Sequence, residues 1–493
     1  MIREERLTKD INKVKKVICK CYNNNDYESI LSLMTFLGNF LYQTNQKYSD
    51  WDLEKVLHDI AGNIPYEIEQ NGRDEKTVLF YDSFGLDTRG LALIYVKALI
   101  NSGFKVVYMA PESNKNCIPH ILSEIKRGKG VAIFFSEIEK MSQIKNLVDI
   151  INKWKVSKYI LYIKPYDVVP VVLAHLVKNK IIRFLINLTD HAFWLGVEAI
   201  DYCIEFRDYG CYISKEKRKI EQSKIVKLPY YPLIDEKTEF QGFPFDKGKN
   251  KVMFSGGSLY KTFGGDGLYY FMVDKLLSHN TDLIFWYAGF GDGTEIEQLK
   301  RKYPERVYWT GERPDLYQIM SHVDIYLNTY PMGGGLMTQY SIIAGKIPLT
   351  LIYDDCGKGF VLDNKRVSYE FGNVNELITY ANEILEDCDF KLAKEEELKN
   401  QIISPEVFEE ELNDILLYGK SGFERDFSKV ETKAFQRTYL ERLSVYDYWA
   451  MWADMSELTI LKYFVIYFVR GFCVKVYRGI KKRIKYFFRN LKK

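Results

Sequence analysis

The feature that most constrains this chain is an alternation that occurs twice. From Lys76 onward, a short apolar run rich in β-branched and aromatic residues gives way to a glycine-bearing turn, then to helical periodicity, then to another apolar run. KTVLFYD, GLDTRG, LALIYVKALINSG and KVVYMA make the first such unit, at the ~30 residues that a β-turn-α-β element occupies. GVAIFFS (130–136), KYILYI (158–163), IIRFLINL (181–188) and DYCIEF (201–206) continue it, with helices predicted up to Trp154 and over 168–178. Strands joined through helices lie parallel with right-handed crossovers, so a doubly wound α/β domain is predicted to about residue 240.

The alternation then restarts. Residues 235–250 are polar with Gly and Pro and read as a linker. KVMFSGG (251–257), DLIFWYAGFGD (282–292), RVYWTG (306–311), VDIYLNTY (323–330) and IPLTLIY (347–353) are the strands of a second series, with helices expected over 264–278, 313–321 and 336–345. Further helices over 372–418 are expected to close it. The predicted organisation is a helical N-terminal region (1–70), a first Rossmann-like domain (71–240), a second (241–424) and a helical, basic tail (425–493). A length of 493 residues and a hydrophobic fraction of 47% suit two such cores. The eight Cys form no CxxC pair, and the charged start MIREERLTKDINKVKKV lacks an apolar signal region; both fit a reduced, cytoplasmic chain.

Two parallel α/β domains leave a cleft at the carboxyl ends of their strands, where ligands of such sheets bind. The loops after the strands therefore carry the candidate chemistry. In FSGGSLYKTFGG (254–265), Gly256 and Gly257 end a strand and precede a helix, and Lys261 can neutralise phosphate; a plain βα turn is the alternative. In NTYPMGGGLMTQYSIIAGKIP (328–348), Gly333, Gly334 and Gly335 open a helix whose first turn holds Thr338 and Gln339. That pattern offers backbone N–H groups and a hydroxyl to a diphosphate. In NLTDHAFWLG (187–196), His191 suits general-base work, Asp190 can orient it or act as the base itself, and Trp194 can pack a sugar or a nucleotide. DSFGLDTRG (82–90) brackets Asp87, Thr88 and Arg89 between glycines, as a ligand loop or a capped helix start.

Taken in this order, the loops resemble those of the GT-B glycosyltransferases. GG after the first strand of the second half, and the run GGGLMTQYSIIAGKIPLT with Ala344, Gly345 and Pro348 at its end, are similar to the donor-diphosphate helix of that superfamily. DHAFWLGVEAIDYCIEFRDYG is similar to the branch near the O-GlcNAc transferases. The resemblance spans about residues 76–420. It implies transfer of a sugar from a nucleotide-diphosphate donor to an acceptor hydroxyl without a bound metal or other cofactor. His191 or Asp190 would be the base; Gly334, Gly335, Thr338 and Gln339 would cradle the diphosphate, helped by Lys261 and Arg313. Retaining members carry a Glu near the start of that helix, where this chain has Thr338-Gln339-Tyr340, so the departure leans toward inversion.

Charge is unevenly spread. Eleven Lys and Arg and no Asp or Glu fall in 458–493, so a net charge of +3 overall leaves −8 on residues 1–457. Mixed with Phe, Tyr, Ile and Val, those cations give the composition of an interfacial helix on an anionic membrane, peripheral on its inner face, rather than of a nucleic-acid-binding tail. The expected partners are a nucleotide sugar, a glycan or lipid-linked acceptor and a membrane surface, with no nucleic acid. A nucleotide-sugar epimerase of the same fold, or a degenerate membrane-bound partner protein, stay open as alternatives.

Overall fold

The computed structural model describes residues 4–69, 72–136, 139–235, 237–352, 369–398, 401–452, 463–467, 469–474 and 476–477. The chain opens with three helices, α1 (Glu4–Asn23), α2 (Tyr27–Thr44) and α3 (Trp51–Asn63). Asp26 and Asp50 start the second and third, each side chain accepting a first-turn N–H that the helix itself leaves unpaired. β1 (Asp74–Asp82), α4 (Ala92–Asn101), β2 (Lys105–Pro111), α5 (Pro119–Arg127), β3 (Val131–Phe135), α6 (Lys140–Trp154), β4 (Val156–Tyr162), α7 (Val168–Leu176), β5 (Ile182–Ile186), β6 (Tyr202–Glu205), α8 (Asp208–Tyr212) and β7 (Ile225–Lys227) follow. The second series is β8 (Lys251–Gly256), α9 (Leu268–His279), β9 (Leu283–Ala288), α10 (Thr294–Lys302), β10 (Val307–Thr310), α11 (Leu316–His322), β11 (Ile325–Leu327), α12 (Gly335–Ile343), β12 (Pro348–Leu351) and β13 (Glu370–Phe371). Helices α13 (Val374–Glu386), α14 (Cys388–Glu397), α15 (Pro405–Tyr418), α16 (Lys433–Arg442) and α17 (Val445–Trp452) complete it.

The strands form two parallel sheets, of seven strands in the order β3-β2-β1-β4-β5-β6-β7 and of six in the order β10-β9-β8-β11-β12-β13. Strand order reverses beside β1 and beside β8, which opens a crevice at the carboxyl end of each sheet. Alternation along β1 and β2 feeds two cores. Leu79, Tyr81, Val107 and Met109 join α1–α3, α6 and α7 on one face. Val78, Phe80, Val106 and Tyr108 join α4 and α5 on the other. The strands read from the sequence are present; β7, β13, α5, α8 and α10, which are short or polar, were not predicted.

The expected boundaries do not follow the packing. Helices α1–α3 are not a separate unit: Leu31, Leu37 and Leu57 share one core with the first sheet. Helix α15 leaves the second domain and returns to the first, where Phe408 meets Tyr95 edge-on at 5.0 Å. Part of the expected tail is also internal. Trp452 of α17 is 1% exposed and packs on Phe36 and Phe40 of α2. The rest of the tail prediction falls partly on 453–462 and 478–493, which lie outside the described residues. Among the described residues no helix is long and apolar enough to cross a membrane.

Candidate functional site

Between the two sheets lies a cavity of about 980 Å³, at the upper end of the range for small-molecule sites. Its walls come from both domains. The loop after β5 supplies Leu188, Thr189 and His191; the loop after β6 supplies Phe206 and Arg207. From the second domain come Tyr260 and Lys261 after β8, and Met332, Gly333 and Gly335 after β11. Helix α2 adds Asn39, Tyr42 and Gln43, α16 adds Phe435 and Tyr439, the turn after it Leu443, and α17 Asp447 and Met451. The helical N-terminal region is therefore part of the site.

His191 reaches the cavity because its loop is pinned from below. The guanidinium of Arg218, fully buried, donates to the carbonyls of Asp190 and Ala192 at 2.8 and 2.6 Å and stacks against Trp194. Trp194 is thus a core residue, not a sugar platform. Asp190, also fully buried, accepts from Arg207 Nε at 2.6 Å and Nη2 at 2.8 Å. Burial alone would raise the Asp190 carboxyl, but the adjoining Arg207 charge outweighs it and holds the group well below the usual carboxylate range. A carboxylate so held is a poor proton acceptor. It sits 3.2 Å from His191 Nδ1, where it orients the imidazole, and His191 is the member of the pair that lines the cavity. Glu205, beneath, accepts from Asn187 Nδ2 at 2.8 Å and from Ser214; burial first, then the Asp190 charge, pushes its pKa up.

Opposite, the triple-glycine turn is organised by Asn328, buried at the end of β11. Its Oδ1 accepts from the N–H of Gly334 at 2.8 Å, and its Nδ2 donates to Thr338 Oγ1 at 3.1 Å. No sequence signal beyond its place at a strand end marked this residue. Gly334 has φ −105° and ψ 95°, values open to any residue, and a Cβ there would meet nothing nearer than 3.7 Å, one neighbour being Lys261 Nζ. None of Gly333, Gly334 and Gly335 holds a positive φ. The glycines are therefore not demanded by backbone conformation. Gly333 and Gly335 line the cavity at the start of α12 together with Lys261, whereas Gly334 is buried between them with its N–H taken by Asn328.

The remaining expected residues stand away from the cavity walls. Thr338 is buried, its hydroxyl donating to Gly334 O at 3.1 Å. Gln339 Nε2 donates across the domains to Tyr230 O at 2.8 Å. Arg313 is clamped by Asp315 at 2.6 Å and by Gly242 O at 3.1 Å, and lies over the ring of Trp286. Gly256 is the last residue of β8, and Gly257 has φ +128°, a turn conformation that favours glycine. In the loop after β1, Asp87 accepts the N–H groups of His120 and Ile121 at the start of α5, and Arg89 pairs with Glu312 of the second domain at 2.8 Å.

Two Rossmann-like sheets facing each other across such a cavity, with the last long helix returned to the first domain, make this a GT-B fold. Among solved structures the chain is similar to a mutant O-GlcNAc transferase of Thermobaculum terrenum, at 13% identity and a TM-score of 0.54 over 87% of this chain and 81% of that one. It is also similar to a glycosyltransferase from Rickettsia africae ESF-5, at 12% identity and a TM-score of 0.53 over 70% of this chain and 98% of that one. No protein-family model and no curated protein matches the chain. What is shared at these identities is the fold.

Proposed function

We propose that this chain is a glycosyltransferase that moves a sugar from a nucleotide-diphosphate donor to an acceptor hydroxyl on a lipid-linked or surface glycan, working from the inner face of a membrane. The observation that carries this reading is the triple-glycine turn. Gly333 and Gly335 stand on the cavity wall with Lys261 at a helix N-terminus, with no positive φ to call for glycine, which suits close approach by a diphosphate. His191, held by Asp190, lines the first-domain side of the same cavity.

In this reading the acceptor hydroxyl gives its proton to His191 as its oxygen bonds to the anomeric carbon. The bond from that carbon to the diphosphate oxygen breaks, and the electron pair leaves with the diphosphate. Lys261 and the first-turn N–H groups of α12 meet the charge that develops there, more strongly in the transition state than before it. The reading calls for no bound metal. A base acting on the acceptor suits inversion at the anomeric carbon.

The test is a thermal-shift screen of the full chain against UDP, GDP, CMP and their sugars. A ligand at about a hundred times its Kd stabilises by ~2.7 kcal/mol, which such a scan resolves. Stabilisation by one nucleotide diphosphate, followed by its release from the sugar only when an acceptor is added, is the expected result. Conversion of the sugar with no acceptor present would make the chain an epimerase, and no shift with any nucleotide would end the enzymatic reading.

A further inference from the structure

Away from the cleft, the described residues of 463–477 are helical and two-faced. Phe464 is 2% exposed, and Tyr467 packs on Trp452 at 4.3 Å while its hydroxyl donates to Asp10 at 3.2 Å. On the other side, Val465, Ile466, Val469 and Val476 are 46%, 74%, 51% and 44% exposed. Residues 465, 469 and 476 fall at intervals that return to one face of a helix, with 466 alongside. Four aliphatic side chains aligned in water are a surface that asks for a partner.

Cations also lie beside this segment, on α1 and on the segment itself. Along α1, Arg6, Lys13 and Lys20 recur every seven residues, on one stripe of the helix. Each stands over a ring of the C-terminal helices: Arg6 over Trp449 at 4.7 Å, Lys13 over Tyr467 at 4.1 Å and Lys20 over Tyr463 at 5.9 Å. Arg470 covers Trp449 from the tail side at 4.9 Å. In composition, residues 478–493, which lie outside the described residues, carry eight Lys and Arg and no acid, whereas residues 1–457 are net negative.

We propose that the outward face of 463–477 and the basic stripe of α1 form one docking surface for an anionic lipid bilayer. The pairing of an aliphatic stripe with flanking cations selects this occupant. Reversible attachment to a bilayer takes two signals, apolar burial and attraction to anionic headgroups, and this surface offers both. A second copy of the same surface would bring like charges together, and a nucleic acid would leave the aliphatic stripe in water. Docking also sets the orientation. Helix α17 holds the tail through Trp449 and Trp452, while its Asp447, Ala450 and Met451 line the cavity. On the transferase reading given above, a lipid-linked acceptor in the docked bilayer therefore lies beside the α17 wall of the site.

Flotation of the full chain with phosphatidylcholine vesicles, with and without phosphatidylglycerol, tests the surface. The chain is expected to float with the anionic vesicles and to be released by salt. Ile466→Glu/Val469→Glu is expected to lower the bound fraction at least tenfold, and Lys13→Glu/Lys20→Glu to lower it severalfold on anionic vesicles only. Ile466→Glu/Val469→Glu, at exposed positions, is expected to keep the parent's melting temperature, and Lys13→Glu/Lys20→Glu to lower it only by the loss of the cation–π contacts with Tyr467 and Tyr463. Absence of flotation overturns the proposal. So does undiminished binding by both variants, which would give the attachment to the segment beyond residue 477, and so does a dimer that only Ile466→Glu/Val469→Glu dissociates. Nucleotide binding is measured separately, so failure of the transferase reading leaves this result standing.

Discussion

Asp190 and Arg207 show what burial does to chemistry at single residues. Each charge is out of water and each is tolerated because the other is within hydrogen-bond reach. Asp190→Asn would leave Arg207 buried without its counter-charge and is expected to cost about 3–5 kcal/mol of stability in urea denaturation. His191→Asn should behave differently. The side chain is one-quarter exposed at the cavity wall, so stability should change by less than about 0.5 kcal/mol, whereas kcat should fall by about 10²–10⁴ if the imidazole takes the acceptor proton. Glu54 of α3 gives a pH signature. Its carboxyl accepts the N–H of Gly196 at 2.8 Å and that of Glu198. Burial pushes its pKa up to about 7 from 4.5, and those N–H bonds offset only part of the shift. An acid with a raised folded pKa binds its proton more tightly in the native state, so its contribution is full below 4.5 and lost as pH rises through about 7. Roughly 3 kcal/mol of stability is at stake, and Glu54→Gln is expected to flatten the decline between about pH 5 and pH 8 in denaturation curves.

At the scale of an element, α12 concentrates the donor-site prediction. Gly334→Ala places a methyl group 3.7 Å from Lys261 Nζ and from Asn328 Oδ1, an ordinary contact in an ordinary backbone conformation. The variant is therefore expected to melt as the parent does, yet to lose the thermal shift given by nucleotide diphosphate. A loop that merely needed flexible glycines would keep the shift. The helix itself was legible from the sequence, since a glycine run opens it and Gly345 and Pro348 end it. The side chains within it were not. Thr338 and Gln339 have the right chemistry for phosphate, but their positions one turn in direct them to Asn328 and Tyr230. A helix has several faces, and a loop motif does not say which one meets the ligand.

Across the whole molecule, helices α1 and α2 pack against α17 and the described residues of 463–467. Trp452 is buried against Phe36 and Phe40 and against Phe464 of the tail. Trp452→Ala is expected to cost about 3–5 kcal/mol, the range for emptying a large aromatic site, and to loosen the cavity wall that α17 builds. The readout is a lower melting temperature that saturating nucleotide only partly restores. Through α17, attachment of the tail and the shape of the cleft are aspects of one packing arrangement. The domains also meet at Arg89 with Glu312, Gln339 with Tyr230 and Tyr340 with Leu233, and in a buried apolar cluster where Ile352 joins Tyr209, Tyr212 and Ile213.

The sequence by itself determined the two doubly wound halves, because strand and helix periodicities are local and repeat within ~30-residue units. It also determined where to look, since ligand loops follow strand ends. His191, Lys261, Gly333 and Gly335, read from those loops, stand together in the cavity. Parallel pairing of Ile186 with Ile204 brings the loops carrying Asp190 and Arg207 side by side, a clue that existed once β5 and β6 were placed as neighbours. Tertiary structure alone decided the rest. The return of α15 to the first domain, the place of α2 and α17 in the site, and the tie of Arg313 to the Gly242 carbonyl depend on contacts between residues far apart in the chain. Such contacts are set by which apolar faces find one another on folding, and local spacing does not encode them.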